Sequence, residues 1–357
     1  MVARITFEEQ NFINNVKHVI QDNDVMAVVK NDAYHFGLEF AVESFMKAGI
    51  RTFSTTSLYE AVRIRKIDPH VNIFLMNPSI EFEKLKQYDI AMTLPSLKFY
   101  HEHLESLSGI KLHLEFENLL HRSGLKDQYE MIQVLEHNAS LSKDNQSLIE
   151  GIWTHFGYAD EFDGNEYEIE RDAWKKCLMH VLNEGYTFEF IHSQNSASYV
   201  REDRLLDQHT HARLGIILYG SRPYSTLPTT VTKQNFSVTA NVIQVRPIKK
   251  GETCGYSFQF TAEKDCNIAV VDIGYGDGIL KTRAKHDALI NQKRYPIRGL
   301  MMSHMFVEVD ESVQSGDTVT MYSDKIRIDE FTFKGVGANS EQISALNHHS
   351  LIKEIIT

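Results

Sequence analysis

Short runs of apolar residues recur through the first two thirds of the chain, separated by stretches with the spacing of amphipathic helices. One such stretch, YEIERDAWKKCLMHVLNEG, ends on a glycine, the residue expected just past a helix end. Strands that alternate with helices predict a parallel sheet, and eight units in about 220 residues favour a closed (β/α)8 barrel of the TIM type. The predicted strands are residues 25–29, 52–56, 72–76, 90–94, 110–116, 149–156, 188–192 and 212–220.

The pattern changes after residue 220. Residues 221–235 are rich in proline and threonine, which is typical of a linker. Beyond them, runs such as FSVTANVIQVRPI, NIAVVDIG and DTVTMYS alternate polar and apolar residues or are rich in β-branched ones. We therefore predict an α/β protein with two domains, a (β/α)8 barrel over residues 1–222 and a mainly antiparallel all-β domain over residues 223–357.

Composition narrows the possible functions. The 357 residues are 42% hydrophobic and 24% charged, with a formal net charge of -11. This acidic balance argues against nucleic acid or an anionic membrane as a partner and leaves a small ligand. The three cysteines lack metal-ligand spacing, so no metal site is predicted. Without a signal-peptide pattern or a run of about 20 apolar residues, we expect a cytoplasmic location.

Lys30 directly follows the apolar run MAVV. Burying an ammonium group costs about several kcal/mol, so Lys30 is either an edge residue that reaches solvent or a nucleophile. Catalytic groups of such barrels lie where strands end, and phosphate is often bound after strands seven and eight. His155, the segment HSQNSAS, and Arg213 with Gly215 lie at the ends of strands six to eight, and NSA and RLGI offer groups for a phosphate. A lysine nucleophile beside a phosphate site indicates pyridoxal 5'-phosphate.

Seven segments of the chain, in one order, resemble the alanine racemase family. They are AVVKNDAYHFG, LEFENLLHRSG, WTHFGYADE, HSQNSAS, ARLGIILYG, CGYSFQFTA and DIGYGDG. Each segment is a weak signal alone, whereas the ordered set is highly specific. The resemblance implies a pyridoxal phosphate-dependent isomerase that interconverts L- and D-alanine, and it implies bacterial peptidoglycan as the use of the D-amino acid.

The resemblance also implies which residues bind the cofactor. Lys30 would hold it as a Schiff base and would be one of two acid/base catalysts. Arg213 would face the pyridine nitrogen, and His155 would link Arg213 to Tyr256. The phosphate ligands would be Tyr34, Ser196, Gly215 and Ile216, with Asn195 lining the same site.

In the family, the tyrosine at position 256 is the second base and is donated by the partner subunit, which implies a homodimer with two shared sites. Racemisation needs two bases because the α-proton leaves one face of a planar adduct and returns to the other. Lysine and tyrosine ordinarily have pKa values of about 10.4 and 10, so both must be shifted, and cationic neighbours lower that of a tyrosine. Tyr275 would support this site.

Arg122 would bind the substrate carboxylate. In the family, a carbamylated lysine seven residues earlier commonly holds this arginine, and here that position is Glu115. The hypothesis is that Glu115 supplies the negative charge directly, without carbon dioxide, through a charge-assisted hydrogen bond.

The entrance residues depart from the family pattern. Leu300, Ser303 and His304 stand where the family has arginine, methionine and aspartate, and Ser340 stands where it has a tyrosine. The main-chain N–H of Ser303 could still bind substrate. Alternatives to an alanine enzyme are therefore a racemase of broader specificity, acting on serine or longer side chains, and a weakly active cofactor-binding paralogue.

Overall fold

The computed structural model describes residues 3–357. Its contacts divide the chain into two compact units. One unit is the continuous segment Ile20–Gly215, and the other combines the residues up to Val19 with Ile216–Thr357. The division therefore falls a few residues before the boundary expected at residue 222.

The first unit contains eight parallel strands, and each overlaps one of the eight strands predicted from the sequence. Along the sheet the order is seven, six, five, four, three, two, one, eight. The prediction of a (β/α)8 barrel is confirmed, although each of the eight strands is shorter than the apolar run that indicated it. The strands are Val25–Val28, Thr52–Thr55, Asn72–Leu75, Ala91–Leu94, Lys111–Glu115, Leu148–Trp153, Phe190–His192 and Ala212–Leu214.

Four helices of this unit begin at a side chain that accepts a hydrogen bond from the first turn. These caps are Ser57, Ser96, Asp127 and Asn195. Within residues 3–357 no helix is both long enough and apolar enough to cross a membrane. The helices are Leu38–Lys47, Leu58–Ile67, Phe82–Gln87, Leu97–Glu102, Gln128–Ser140, Glu166–Asn183 and Ser196–Glu202.

The barrel closes between its seventh and eighth strands. The N–H of Thr210 donates to the carbonyl of Ile191 at 2.9 Å, and the N–H of Arg213 donates to the carbonyl of Gln194 at 2.8 Å. Closure leaves no free sheet edge there. An apolar cluster fills part of the interior and consists of Met26, Phe74, Ala91, Trp153 and Phe190.

A left-handed turn follows the first barrel strand, at Lys30–Tyr34. The five residues 31–35 all have φ between 51° and 64°, and none of them is glycine. Each such residue costs about 1–2 kcal/mol relative to a right-handed conformation. The carboxylate of Glu60, which is buried, accepts the N–H of Asp32 at 2.7 Å and also the hydroxyl of Thr55. A hydrogen bond from the turn to a carboxylate of the neighbouring helix therefore helps to hold the turn.

The second unit is mainly antiparallel β-structure, as predicted, with two short helices, Ile328–Thr332 and Asn339–Ala345. Its amino-terminal strand pairs antiparallel with the longest strand and parallel with the last one. The strand Arg4–Glu8 thus belongs to the β unit because its backbone hydrogen bonds are made there. The strands of the main sheet are Arg4–Glu8, Phe236–Ile248, Cys266–Val271, Asp287–Ile290, Lys293–Leu300, Met305–Val309, Thr318–Tyr322 and Ile352–Ile356; a separate pair is Thr253–Cys254 and Phe260–Thr261. One further helix, Glu9–Ile20, follows the first strand.

The proline- and threonine-rich segment 221–235 is fixed to the β unit. Arg222 donates from its N–H, Nε and Nη2 to the buried carboxylate of Asp329 at 3.0–3.1 Å. Burial raises the pKa of Asp329, but hydrogen bonds from Arg327 and Arg222 outweigh it and keep that pKa below its usual value. The ion pair therefore ties the segment down at neutral pH.

Candidate active site

Lys30 follows the first barrel strand, one residue beyond Val29, whose N–H donates to the carbonyl of Ser54 at 2.8 Å. Its side chain is partly buried. Burial lowers the pKa of the Lys30 ammonium group, and the positive charge of Arg122 lowers it further. A lowered pKa gives a larger fraction of neutral amine near pH 7, which is the form that attacks a carbonyl. Of the two interpretations of Lys30, the geometry favours the nucleophile.

Three of the predicted phosphate ligands in the first unit lie together. The N–H of Gly215 donates to Oγ of Ser196 at 3.1 Å, which leaves the serine hydroxyl proton able to donate elsewhere. A Cβ atom at position 215 would lie only 2.4 Å from the hydroxyl oxygen of Tyr34, so glycine is required for this approach. Burial raises the pKa of Tyr34, so its hydroxyl stays protonated and can donate to an anion.

Asn195 begins the helix that carries Ser196. Its side-chain oxygen accepts the N–H of Ser198 at 3.0 Å, and its Nδ2 donates to the carbonyl of Phe156 at 2.9 Å. The amide therefore positions the helix start, next to the predicted phosphate site. Ile216 follows Gly215 directly in the chain and begins the second unit.

Arg213 is buried and makes four hydrogen bonds through two nitrogens. Nη1 donates to Nδ1 of His192 at 2.7 Å, and Nη2 donates to Nδ1 of His155 at 3.2 Å and to two main-chain carbonyls. The guanidinium also lies over the ring of Trp153, 4.6 Å from its centroid. Burial and the charge of Arg122 lower the pKa of Arg213 to about 9, so it remains a cation at neutral pH.

His155 is neutral at physiological pH because burial lowers its pKa well below the ordinary value. The positive charges of Arg213, Arg122 and Lys30 lower that pKa further. An arginine can only donate, so Nδ1 of His155 must accept and its proton must be on Nε2. The imidazole therefore offers an N–H on the side away from Arg213.

Glu115 is almost completely buried at the end of the fifth barrel strand, and three donors surround its carboxylate. Oε1 accepts from Nη2 of Arg122 at 3.2 Å. Oε2 accepts the hydroxyl of Ser123 at 2.6 Å and that of Thr93 at 3.1 Å. The predicted pairing of Glu115 with Arg122 is thus present in the structure, and two hydroxyl groups fix the carboxylate.

The remaining predicted residues belong to the β unit. Tyr256 and Phe258 are both 76% exposed, on a turn in which Ser257 and Phe258 have positive φ. Ser303 and His304 are exposed in a turn closed by the N–H of Met301 and the carbonyl of His304, 2.8 Å apart.

Three more positions complete the description of this unit. Tyr275 donates its N–H to the carbonyl of Met301 at 2.9 Å, beside the turn that holds Ser303. Leu300 is 5% exposed and is a core residue of its strand, whereas Ser340 is exposed. Of the four residues that depart from the family pattern, Leu300 therefore acts through packing.

The sequence analysis missed several residues that hold the site. His192 and Trp153 contact the guanidinium of Arg213, and Thr93 and Ser123 donate to Glu115. The sequence did contain a signal for them: residues two apart on a strand point to the same face, so the inward-facing polar residues of each strand can be identified by their spacing. A histidine or hydroxyl on the inward face of an apolar strand indicates a hydrogen-bonded interior.

The arrangement suits pyridoxal phosphate. A neutral amine can bond to the aldehyde, the hydroxyl groups around Gly215 can hold a phosphate, and a buried guanidinium can face the ring nitrogen. Among residues 3–357, no group of His, Cys, Asp and Glu side chains is arranged to hold a metal ion.

Comparisons with known proteins agree with this chemistry. Residues 9–223 match the model of the alanine racemase N-terminal domain, and residues 235–350 match that of the C-terminal domain. The chain is 56% identical to alanine racemase 2 of Staphylococcus aureus (strain Mu50 / ATCC 700699), over 100% of this chain and 99% of the relative.

Solved structures give the same result for the fold. Alanine racemase from E. faecalis superposes with a TM-score of 0.88 at 25% identity, over 99% of this chain and 98% of that one. A second structure, alanine racemase from Bartonella henselae with covalently bound pyridoxal phosphate, superposes with a TM-score of 0.85 at 22% identity over the whole of both chains.

Proposed function

The chain belongs to the alanine racemase family, and on that premise we propose that Lys30 and Tyr256 exchange the α-proton of alanine in an active site shared by two subunits. The protein is a pyridoxal phosphate-dependent isomerase that interconverts L- and D-alanine. The assignment of each residue below is our proposal.

Lys30, Arg213 and the residues around Gly215 hold the cofactor. When bound, pyridoxal phosphate acidifies the α-proton of the attached amino acid by spreading the resulting negative charge. Ser196 and Tyr34 would donate to its phosphate, and Arg213 would donate to its ring nitrogen. Because Arg213 does not readily give up its proton, it would disfavour protonation of that nitrogen, and the resulting smaller charge delocalisation would favour racemisation over transamination.

Lys30 serves one face of the substrate. Its lowered pKa lets the amine accept a proton near neutral pH, and the nearby charge of Arg122 contributes to that lowering. Arg122, held by Glu115, binds the substrate carboxylate. The main-chain N–H of Ser303 binds the same carboxylate.

Tyr256 of the partner subunit serves the other face. The hydrogen bond from Arg213 to Nδ1 of His155 carries this proposal, because it places a proton on Nε2 of His155, where it can be donated to the phenol oxygen. Support for the shared site comes from the exposure of Tyr256 and Phe258, since two large aromatic side chains on one turn are typical of an interface.

Mixed dimers test the shared site. Lys30→Ala and Tyr256→Phe homodimers are expected to be inactive. Equal co-expression makes half of the dimers mixed, and each mixed dimer has one intact site, so activity should return to about a quarter of wild type. Sites confined to one subunit would give no recovery. Wild-type protein that forms no D-alanine would overturn the function itself.

The substrate range depends on the entrance. His304 stands where the family has an aspartate, so the entrance lacks that negative charge, and Ser340 replaces a larger tyrosine side chain, which favours acceptance of larger amino acids such as serine. A panel of L-amino acids, analysed for D-products, separates an alanine enzyme from a broader racemase or a weakly active paralogue. We also propose a cytoplasmic location and the supply of D-alanine to bacterial peptidoglycan.

A further inference from the structure

His113 lies deep in the barrel, on the fifth strand, in a place shaped for its ring. It is 1% exposed and stacks between the rings of Phe74 and Phe190, with centroids 4.3 Å and 5.2 Å away. The neighbouring strand has Gly151 opposite the imidazole, where a Cβ atom would lie 2.5 Å from Cγ of His113. No role in the proposed reaction has yet been assigned to this residue.

Two successive hydrogen bonds connect Arg213 to His113 through His192, and each is donated in the direction of His113. Nη1 of Arg213 can only donate, so Nδ1 of His192 must accept at 2.7 Å. Nε2 of a neutral His192 then carries the proton and donates to Nδ1 of His113 at 2.8 Å. Burial and the charge of Arg213 lower the pKa of His192 well below its ordinary value, which keeps that histidine neutral.

At the end of this series of hydrogen bonds, Nε2 of His113 faces the carboxylate of Glu150. Because Nδ1 of His113 accepts, its own proton is on Nε2, which lies 3.5 Å from Oε1 of Glu150 and has no hydrogen-bond partner within residues 3–357. Both residues line a cavity of about 10 Å³, together with Arg65 and Lys111. Such a space holds about one water molecule, which could bridge the two groups.

We propose that His113 and Glu150 are positioning residues that fix the proton of His192 on Nε2 and thereby hold Arg213 in one orientation. Glu150 selects the Nε2–H form of His113, which leaves Nδ1 as an acceptor. His192 meets that acceptor only when its own proton is on Nε2. The effect of this arrangement on racemisation rests on the proposed role of Arg213. The positions of the protons on His113 and His192 do not depend on that role.

Loss of the acceptor at position 113 would leave the Nε2 proton of His192 unpaired in a buried site, so that only the bond from Arg213 would still favour the Nε2–H form. With its proton on Nδ1, His192 would meet Nη1 of Arg213 as donor against donor. The guanidinium would then lose one of its partners and turn. We expect a loss of activity of about tenfold, by analogy with the outer partners of metal-binding histidines, whose replacement has an effect of this size or larger.

A matched pair of variants separates the hydrogen bond from packing. His113→Asn places an amide oxygen near the position of Nδ1 and so keeps a hydrogen-bond acceptor there. His113→Phe keeps a flat ring but removes the acceptor. Glu150→Gln removes the charge at the far end. Asp89→Asn is the control for charge in the cavity, because Asp89 pairs with Lys111 at 2.9 Å and Lys111 lies 3.9 Å from Glu150, whereas the carboxylate nearest to His113 is that of Glu150.

The first readout is the nitrogen NMR spectrum of apoprotein labelled with 15N-histidine, which reports the protonated ring nitrogen without any turnover. We expect His192 to be protonated on Nε2 in wild type and in His113→Asn, and to show a mixture in His113→Phe. A wild-type His192 protonated on Nδ1 would overturn the proposal, even if the His113→Phe variant did not fold.

The second readout is the steady-state kinetics of the enzyme with bound cofactor, together with the fraction of turnovers that end in transamination. His113→Phe should lower kcat about tenfold with little change in KM, and should raise the fraction of turnovers that end in transamination. His113→Asn should restore most of kcat, and Glu150→Gln should fall between the two. Equal kcat in His113→Asn and His113→Phe, or Glu150→Gln identical to Asp89→Asn, would reject the positioning role. Failure of the proposed function would instead appear as an inactive wild type with the expected NMR spectrum.

Discussion

Nη2 of Arg122 donates to Oε1 of Glu115 at 3.2 Å, and the two side chains have very different surroundings. The side chain of Glu115 is 3% exposed, whereas that of Arg122 is 48% exposed. A fixed carboxylate therefore restrains a guanidinium that would otherwise move in solvent. The carboxylate is itself held by two hydroxyl groups, so the restraint extends to the barrel strands.

The first prediction concerns this pair. Glu115→Gln should keep the fold but lower kcat/KM about 10- to 100-fold, because a hydrogen bond to a charged group contributes about 1.5–3 kcal/mol. The measurement is steady-state kinetics with L-alanine, alongside thermal unfolding. Glu117→Gln is the control, since Glu117 lies two residues beyond Glu115 in the chain and its carboxylate pairs with the exposed His121. Unchanged kinetics in Glu115→Gln would contradict the role, as would activity that depends on added carbon dioxide.

A second prediction concerns the phosphate cradle. Gly215→Ala should weaken binding of pyridoxal phosphate by at least about tenfold, because the new methyl group would lie 2.4 Å from the hydroxyl of Tyr34. Fluorescence titration of apoprotein measures the affinity. Tyr34→Phe removes the atom that clashes, so the double variant should lose less affinity than the two single losses combined. Fully additive losses would show that the two residues act independently.

The lowered pKa of Lys30 predicts how the apoprotein takes up its cofactor. The neutral amine is the form that reacts with the cofactor aldehyde, so the rate of cofactor uptake should increase with pH. The midpoint of that increase should lie below 10.5, the ordinary pKa of a lysine side chain. Arg122→Gln removes a positive charge and should raise that midpoint, whereas Arg122→Lys should leave it nearly unchanged. Rapid-mixing absorbance measurements across pH give the three midpoints. A higher midpoint in wild type than in Arg122→Gln would contradict the electrostatic explanation.

The left-handed turn gives a prediction about stability. Glu60→Gln weakens the acceptor for the N–H of Asp32 and should lower the free energy of unfolding by about 1–3 kcal/mol. Urea unfolding of the apoprotein measures it, and cofactor affinity should fall as well because the turn carries Tyr34. Glu43→Gln is the control, since Glu43 is exposed on the helix Leu38–Lys47, where a surface replacement changes stability little. Equal stability of the two variants would contradict the bracing role.

Much of this molecule could be predicted from its sequence, for identifiable reasons. Buried parallel strands are continuous apolar runs, and this pattern identifies all eight barrel strands. Lys30 is conspicuous because a charged side chain at the end of such a run is costly to bury. His113 and His192 were missed because a histidine inside an apolar strand has the same local pattern whether it packs or forms a hydrogen-bonded series. Only the closure of the barrel brings them beside Arg213.

Two other features were beyond local patterns. The amino-terminal strand Arg4–Glu8 gives no sign in its own residues that it pairs with strands more than 200 residues away in the sequence. The left-handed conformation of residues 31–35 has no glycine to indicate it. It exists because tertiary hydrogen bonds, such as that between Glu60 and Asp32, outweigh the local preference.

That turn has a consequence for anyone who engineers this protein for heat resistance. A glycine introduced within residues 31–35 would relieve steric conflict, so a screen that scores thermal survival alone would select such replacements. The same replacements would loosen the backbone that aims the Tyr34 hydroxyl. Melting temperature and catalytic rate should therefore diverge among variants of this segment, and selection here needs a turnover assay.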